Sequence, residues 1–542
     1  MSGKAASTGI GYDSTRPTNE IEKRHVTSCC NVSRCEPSPS LSALGRQRTG
    51  ECERNEEQSS RQETEQQRSM TKPKARSIRL PLAECLILSC SACAFIDGPT
   101  PSARSFRNIR PRVCSSLHAD NSNGRIVIAD DVASPAPDRN VQEMQHWAFQ
   151  RCGIQTSDGL DLMGSETDTA SSTGIDYSII TNTDLPAGSP VVRVPAEIIL
   201  SSNKAGQEFG MILSDGEQQL ANAGLAHQVP LFRLFVKILV EYEKGTQSPY
   251  YPWLESLPRR FNNGSSMSYA CFDTLPPYAA WLSSNERTTY KNFHRVLLTI
   301  GGDMISKKTK ASKMIVLWAY NIATTRSTEM NGDYLIAPLV DYFNHGGDPE
   351  AEISFDQDGS CMVYAIKDVS AGSPLRISYG DPRDPSPLFA RYGFLDKTAP
   401  ASFCKLMDLH KEMEELGLSF VDLLFYKDTG DVSAEVYDLL LYDILSKDDD
   451  PSLRARFKDA CLAGDAATKA SFHQQYFTST FGKLKAHVND TLLELEKSKE
   501  VAEFWEDAPR RSRHPRLPVI MAHNDFVRQT FERVKANLDQ MG

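Results

Sequence analysis

Apolar positions along the chain change character several times. Residues 1–69 are rich in Ser, Glu, Gln, Arg and Thr and poor in large apolar side chains. Such a stretch buries too little surface to offset its chain entropy, so it is expected to be disordered. From Val141 the spacing turns helical through Met144, Ala148 and Phe149. Residues 177–180 and 190–195 read as strands on either side of the turn Leu185-Pro186-Ala187-Gly188. Leu231, Phe235, Ile238 and Tyr242 recur at three- and four-residue steps, an amphipathic helix stopped by Gly245. The aromatic run from Tyr250 through Trp253 to Leu254 reads as core filling. A further helix is expected over 312–325, through Ile315, Trp318, Ala319 and Ile322, ending near Arg326. Residues 351–355, 362–366 and 375–379 look like short strands joined by Asp/Gly turns. After Asp396 the pattern is helical. Phe477, Phe481, Leu484, Val488 and Leu492 trace one face, and Val527, Phe531, Val534 and Leu538 another, with Pro515 and Pro518 between. Many short strands, a helical stretch among them and a helical tail predict an α+β fold followed by an all-α carboxyl-terminal domain.

Residues 70–140 stand apart. Met70 is followed by Lys72, Lys74, Arg76 and Arg79, then by an apolar run from Leu80 to Ala94, then by Phe95. This resembles a secretory signal with a small-residue cleavage site. Residues 101–112 carry Arg and Ser and no acid, as transit peptides do. Together they resemble the two-part plastid address of algae with complex plastids, with Met70 as the start. The alternative is a short helix in a tail of a cytoplasmic protein. The apolar run is too short to span a bilayer, so no membrane is expected for the mature form. Residues 121–139 read as a polar linker.

With 542 residues, 40% of them hydrophobic, the chain can bury two or three cores. A net charge of -10 gives no long-range pull toward nucleic acid and suits a basic partner surface better. Eight of the 13 cysteines precede residue 115, and no CxxC pairs with another or with clustered histidines. No metal site is expected. The oligomeric state is left open.

Three blocks carry the chemistry: Pro338-Leu339-Val340-Asp341-Tyr342-Phe343-Asn344-His345, then Ile377-Ser378-Tyr379-Gly380, then Arg391-Tyr392-Gly393-Phe394. With Trp318 to Arg326, they resemble the SET domain of the Rubisco large-subunit methyltransferase type. The likeness spans roughly residues 140–540. It implies a SET β-fold of short strands with a pseudoknot-like carboxyl segment over 141–396, interrupted by a helical insert at about 210–335. A helical substrate-binding-like domain would follow over 397–542. It also implies S-adenosyl-L-methionine as cofactor and a protein substrate bearing the target nucleophile.

By the same resemblance, Gly174, Asn344, His345, Tyr379 and Phe394 would hold the cofactor. Tyr379 would be catalytic, and Arg326, Asp341 and Tyr392 would line the substrate side. The family carries Gly-x-Gly where this chain has Gly174-Ile175-Asp176, so a carboxylate stands where bare backbone is usual. Asp384 takes the place of a usual Asn as helix cap. A histidine-modifying relative carries Asn and Trp where this chain has Thr328 and Val340. The smaller, more apolar pair suits a lysine stem. The resemblance therefore implies a lysine methyltransferase acting on a non-histone protein, with a histidine methyltransferase or a catalytically weak SET-like binding module as alternatives.

Overall fold

In the computed structural model the described residues are 124–128, 137–166, 175–506 and 514–541. Gly174, the targeting segment and most of the 121–139 linker lie outside them.

Among the described residues the strands are short and fall into five small sheets. Gln155–Thr156 (β1), Pro190–Val194 (β4), Cys361–Ala365 (β10) and Ala351–Phe355 (β9) form one, in the order β1-β4-β10-β9 and antiparallel throughout. Leu160–Glu166 (β2) and Ile175–Thr181 (β3) make a hairpin that Ser373–Pro374 (β11) joins. Leu200–Ser201 (β5), Asp333–Ile336 (β7) and Thr328–Met330 (β6) form a third sheet with β6 at its edge. Asn344–His345 (β8) and Arg376–Ile377 (β12) pair in parallel. Strands of two to seven residues in such small sheets cannot bury a face alone, so the helices must cover them.

Helices of eight residues or more are numbered. Val141–Gln150 (α1) is capped by the Asn140 side chain, which accepts the Glu143 N–H. Ser202–Phe209 (α2) is followed, between residues 210 and 335, by Ser214–Asn222 (α3), Val229–Lys244 (α4), Pro277–Thr299 (α5) and Lys313–Arg326 (α6). Helix α4 starts with a proline in its first turn and stops at Gly245. Its apolar stripe is buried: Phe232 and Phe235 pack with Phe293 of α5 at centroid separations of 5.2 and 5.6 Å. Each such ring contributes on the order of 1.5–3 kcal/mol by leaving water. Ser312 caps α6 by accepting the Ile315 N–H. Trp318 and Tyr320 on α6 extend the same core.

Pro385–Tyr392 (α7) begins at Asp384, whose carboxylate accepts the Ser386 N–H at 3.1 Å, as the sequence predicts. It ends at Gly393, with φ 83°. A Cβ there would meet the Asn262 and Asn263 backbone at 2.6 Å, so only glycine fits this close crossing.

Ala434–Leu445 (α8), Pro451–Ala463 (α9), Ala466–Glu506 (α10) and Leu517–Met541 (α11) build a second core around Leu439, Leu440, Phe457, Val527 and Phe531. This region is helical but not purely so. Ala401–Phe403 (β13) and Leu424–Tyr426 (β14) form an antiparallel pair that the helical pattern hid. Phe477, assigned above to the buried face of α10, is 56% exposed. Phe472, Leu484, Val488, Leu495 and Ala502 are its buried apolar positions, with Thr480 and Thr491 buried beside them. Val527, Phe531, Val534 and Leu538 are all buried on α11, as their spacing predicts.

Candidate active site

The site forms where two chain segments lie side by side. Leu339 adopts φ 75°, ψ -44°, a strained state for a side-chain-bearing residue that costs on the order of 1–3 kcal/mol. The chain then makes a tight turn over Val340–Tyr342 and enters β8. The β8–β12 register sets Asn344 opposite Arg376 and His345 opposite Ile377. The Gly346 N–H bonds the Ile377 carbonyl at 3.0 Å and prolongs the pairing. This brings Tyr379 back onto the Asn-His pair.

Tyr379 is held at both ends. Its main-chain N–H donates to His345 Nδ1 at 3.1 Å, and its hydroxyl donates to the Phe343 carbonyl at 2.6 Å. An N–H can only donate, so His345 Nδ1 must be the acceptor and the ring proton sits on Nε2. That Nε2 lies 3.3 Å from Asp396 Oδ2. The other Asp396 oxygen accepts the Thr398 N–H at 2.8 Å and the Thr398 hydroxyl at 2.6 Å. The Tyr379 ring lies 4.7 Å from Tyr392 and 6.3 Å from Phe394, and His345 lies 5.8 Å from Phe394. Burial pushes the Tyr379 phenol well above its ordinary range, partly opposed by Arg326, so the hydroxyl stays protonated.

Asn344 donates through Nδ2 to the Tyr177 carbonyl at 3.1 Å. Asp176 precedes Tyr177, and its carboxylate folds back to accept the Tyr177 N–H at 3.0 Å.

Asp341 is the buried acid of the site, its side chain fully shielded from solvent. Trp253 donates its indole N–H to Oδ2 at 3.1 Å. Arg326 bonds the Asp341 carbonyl and sits 4.0 Å from Oδ2. Oδ1 has no hydrogen-bond partner. Burial raises the Asp341 carboxyl above its usual range, with Arg326 and Trp253 opposing.

Two cavities meet here. The first, about 590 Å³, is lined by Asn344, His345, Phe394, Asp176, Arg139 and Pro518 among others. The second, about 520 Å³, is lined by Thr328, Val340, Asp341 and Phe343 among others. Thr325, Arg326, Tyr379 and Tyr392 line both. The two groups of residues that the resemblance separates into cofactor and substrate sides thus fall on separate cavities with a shared aromatic wall. Gly174 alone lies outside the described residues.

Three contributors escaped the sequence reading. Trp253 fills core, as expected, and also holds Asp341. Asp396 anchors His345. Arg139, read as linker, stacks over Tyr177 at 4.8 Å and donates to the Ser256 carbonyl at 2.7 Å. None carries a local pattern that marks it.

Residues 176–380 match the family model described as the SET domain. This segment of the chain is similar to the SET domain. The matched segment runs from Asp176 to Gly380 and so includes Tyr379, with Tyr392 and Phe394 just beyond it. A ribosomal lysine N-methyltransferase, set10 of Schizosaccharomyces pombe, is 22% identical over 266 residues, 47% of this chain and 45% of that one. The chain therefore spans less than half the length of that curated relative. Among solved structures, the SET domain of LSMT bound to lysine and AdoHcy superposes with a TM-score of 0.53 at 14% identity, covering 74% of this chain and 92% of that one. Rubisco LSMT bound to AdoMet gives 0.52 at 14% identity, covering 75% and 92%. At that identity the likeness concerns the fold. It reaches well past the SET domain into the helical carboxyl-terminal region.

Proposed function

We propose that this chain is an S-adenosylmethionine-dependent protein-lysine N-methyltransferase. The observation that carries the reading is the pair of cavities meeting at Tyr379, Tyr392 and Arg326. A group transfer between two ligands held on either side of the same side chains is chiefly a positioning task.

The first cavity fits the cofactor in size and chemistry. Its volume of about 590 Å³ lies in the range of small-molecule sites. Phe394 offers an apolar face, Arg139 and Arg326 offer charge for a carboxylate, and Asp176 offers charge for an ammonium. When bound, the cofactor supplies an electrophilic sulfonium methyl group. The structures with AdoMet and AdoHcy belong to neighbours of the same fold, which supports the assignment.

Tyr379 donates a hydrogen bond to the Phe343 carbonyl, leaving its oxygen lone pairs to accept from the amine or from a weak C–H contact. Asp341 Oδ1, buried and unpartnered on the substrate side, suits an incoming ammonium group. Thr328 and Val340 leave that side uncrowded and partly apolar, suiting the methylene stem. Burial of the amine disfavours its charged form and helps expose the lone pair.

The test is transfer of radiolabelled methyl groups to proteins of a cell extract, followed by mapping of the labelled side chain. Label on lysine, reduced in Tyr379→Phe, is the expected result. Label on histidine, or equal labelling by wild type and variant, would overturn the assignment. The plastid address beginning near Met70 remains part of the same proposal, tested by the location of a fluorescent fusion.

A further inference from the structure

We infer that the substrate-side cavity selects a lysine embedded in a basic stretch of polypeptide, through Glu329 and Glu352 at its mouth. This rests on the methyl-transfer reading above and names the substrate class it leaves open. Glu329 lies on β6, the edge strand of its sheet, and Glu352 on β9, the edge strand of another. Both side chains are exposed, and both line the cavity whose interior holds Asp341.

The remaining charges lining that cavity are arginines already engaged. Arg326 bonds the Asp341 carbonyl and stacks 5.5 Å over Tyr342. Arg391 donates to the Thr324 carbonyl at 3.2 Å and faces the acid Glu286. The mouth therefore presents two carboxylates to solvent, and the buried Asp341 Oδ1, which has no partner, points to a cationic occupant deeper in. A chain with net charge -10 adds a favourable field for a basic partner. Exposed pairs are individually weak, so the acids act as a filter on flanking residues, not as the main source of affinity.

The experiment compares two fluorescein-labelled nine-residue peptides with a central lysine. One carries two arginines on each side and the other four glutamines in their place. Affinity is read by anisotropy and methylation by label transfer. Wild type should bind the arginine peptide about tenfold more tightly, and 0.5 M salt should shrink the gap, because exposed charges are screened. The double variant Glu329→Gln/Glu352→Gln should bind both peptides to within about twofold while leaving affinity for the glutamine peptide unchanged. A wild type without preference, or a variant that retains it, overturns the inference even where lysine is methylated. A preference lost in the variant, with no label on either peptide, would support the charge filter and count against the transfer reading instead.

Discussion

His345 accepts the main-chain N–H of Tyr379 at 3.1 Å, although the two residues are 34 positions apart. One imidazole thereby joins the cofactor-side pair to the tyrosine at the shared wall, and Asp396 fixes that imidazole from the other side at 3.3 Å. The chain Asp396–His345–Tyr379 works as a clamp, because each link determines the donor or acceptor state of the next.

Removing the clamp's far end should loosen the site without emptying it. Asp396→Ala leaves the buried His345 Nε2–H without its acceptor, a loss of about 1–3 kcal/mol. Because Asp396 touches neither cavity's contents, kcat should fall about tenfold or more with the KM for peptide little changed. Asp396→Asn, which retains an acceptor oxygen, should recover most of the rate. If Asp396→Asn is as impaired as Asp396→Ala, the residue acts through its charge and the clamp account is wrong.

Tyr379→Phe deletes the 2.6 Å bond to the Phe343 carbonyl and keeps the aromatic packing with Tyr392. Label transfer should drop by about 100-fold, the usual scale for losing one preorganised group at a reacting centre. Cofactor affinity by calorimetry should change by less than about threefold. The raised ionisation of this phenol also means that no Tyr379 titration should appear in the wild-type rate profile up to about pH 10. A basic limb present in wild type and absent from Tyr379→Phe would contradict that.

How much of this was legible in the sequence depends on distance along the chain. The Asn-His turn, the Tyr379 strand end and the helix capped by Asp384 are local, so their residue types and spacing announce them. Helices α4 and α6 were readable because Leu231, Ile238, Trp318 and Ile322 repeat at the helical period. The Trp253–Asp341 bond joins residues 88 apart, and the His345–Asp396 contact residues 51 apart. No periodicity encodes such pairs. Strands β13 and β14, three residues each, are too short to show alternation. Phe477 has the right spacing for the buried stripe of α10, yet it is exposed between the buried Phe472 and Leu484 and stacks on Phe481 at 5.6 Å instead.

Asp176 supplies the next test. Its carboxylate borders the cofactor-side cavity and accepts the Tyr177 N–H. Two effects compete in Asp176→Gly: relief of crowding, and loss of a negative charge able to pair with an ammonium. The carboxylate is turned back onto its own backbone, so crowding is already reduced. We expect Asp176→Gly to weaken S-adenosylmethionine binding by about threefold in calorimetry. Tighter binding by the variant would show that crowding dominates.

Asp341 and Trp253 give a stability test separate from activity. Asp341→Ala leaves Arg326 beside an empty space and strips the Trp253 indole of its acceptor. Breaking a buried ion pair by removing one partner costs about 3–5 kcal/mol. Here the 4.0 Å separation and the unpartnered Oδ1 place the loss at the low end. Trp253→Phe keeps the ring and loses only the indole donor, for about 1–2 kcal/mol. Urea midpoints should order wild type, Trp253→Phe, Asp341→Ala from most to least stable. Equal midpoints for wild type and Asp341→Ala would mean that the acid contributes nothing to the fold.

The carboxyl-terminal region predicts its own pH dependence through His523. This imidazole is fully buried on α11, stacked 4.5 Å over Phe389, with Nε2 at 3.2 Å from the Ser386 hydroxyl. Ser386 donates in turn to Asp384 at 2.8 Å, and the buried ammonium of Lys405 lies 3.4 Å from the same hydroxyl. Burial first, and then Lys405, lower the His523 pKa from 6.5 to about 3. The folded state therefore keeps the ring neutral while the unfolded chain takes up a proton below about pH 6.5. Stability from this residue is intact above that pH and drains away as the pH falls toward 3. Between pH 8 and pH 5.5 the loss should be roughly 1.4 kcal/mol, one unit of differential protonation. His523→Gln retains a polar contact for Ser386 and cannot titrate. Its urea midpoint should lie below that of wild type at pH 8, and the gap should narrow by the same amount at pH 5.5. A gap that stays constant across that interval would remove His523 from the acid sensitivity of the fold.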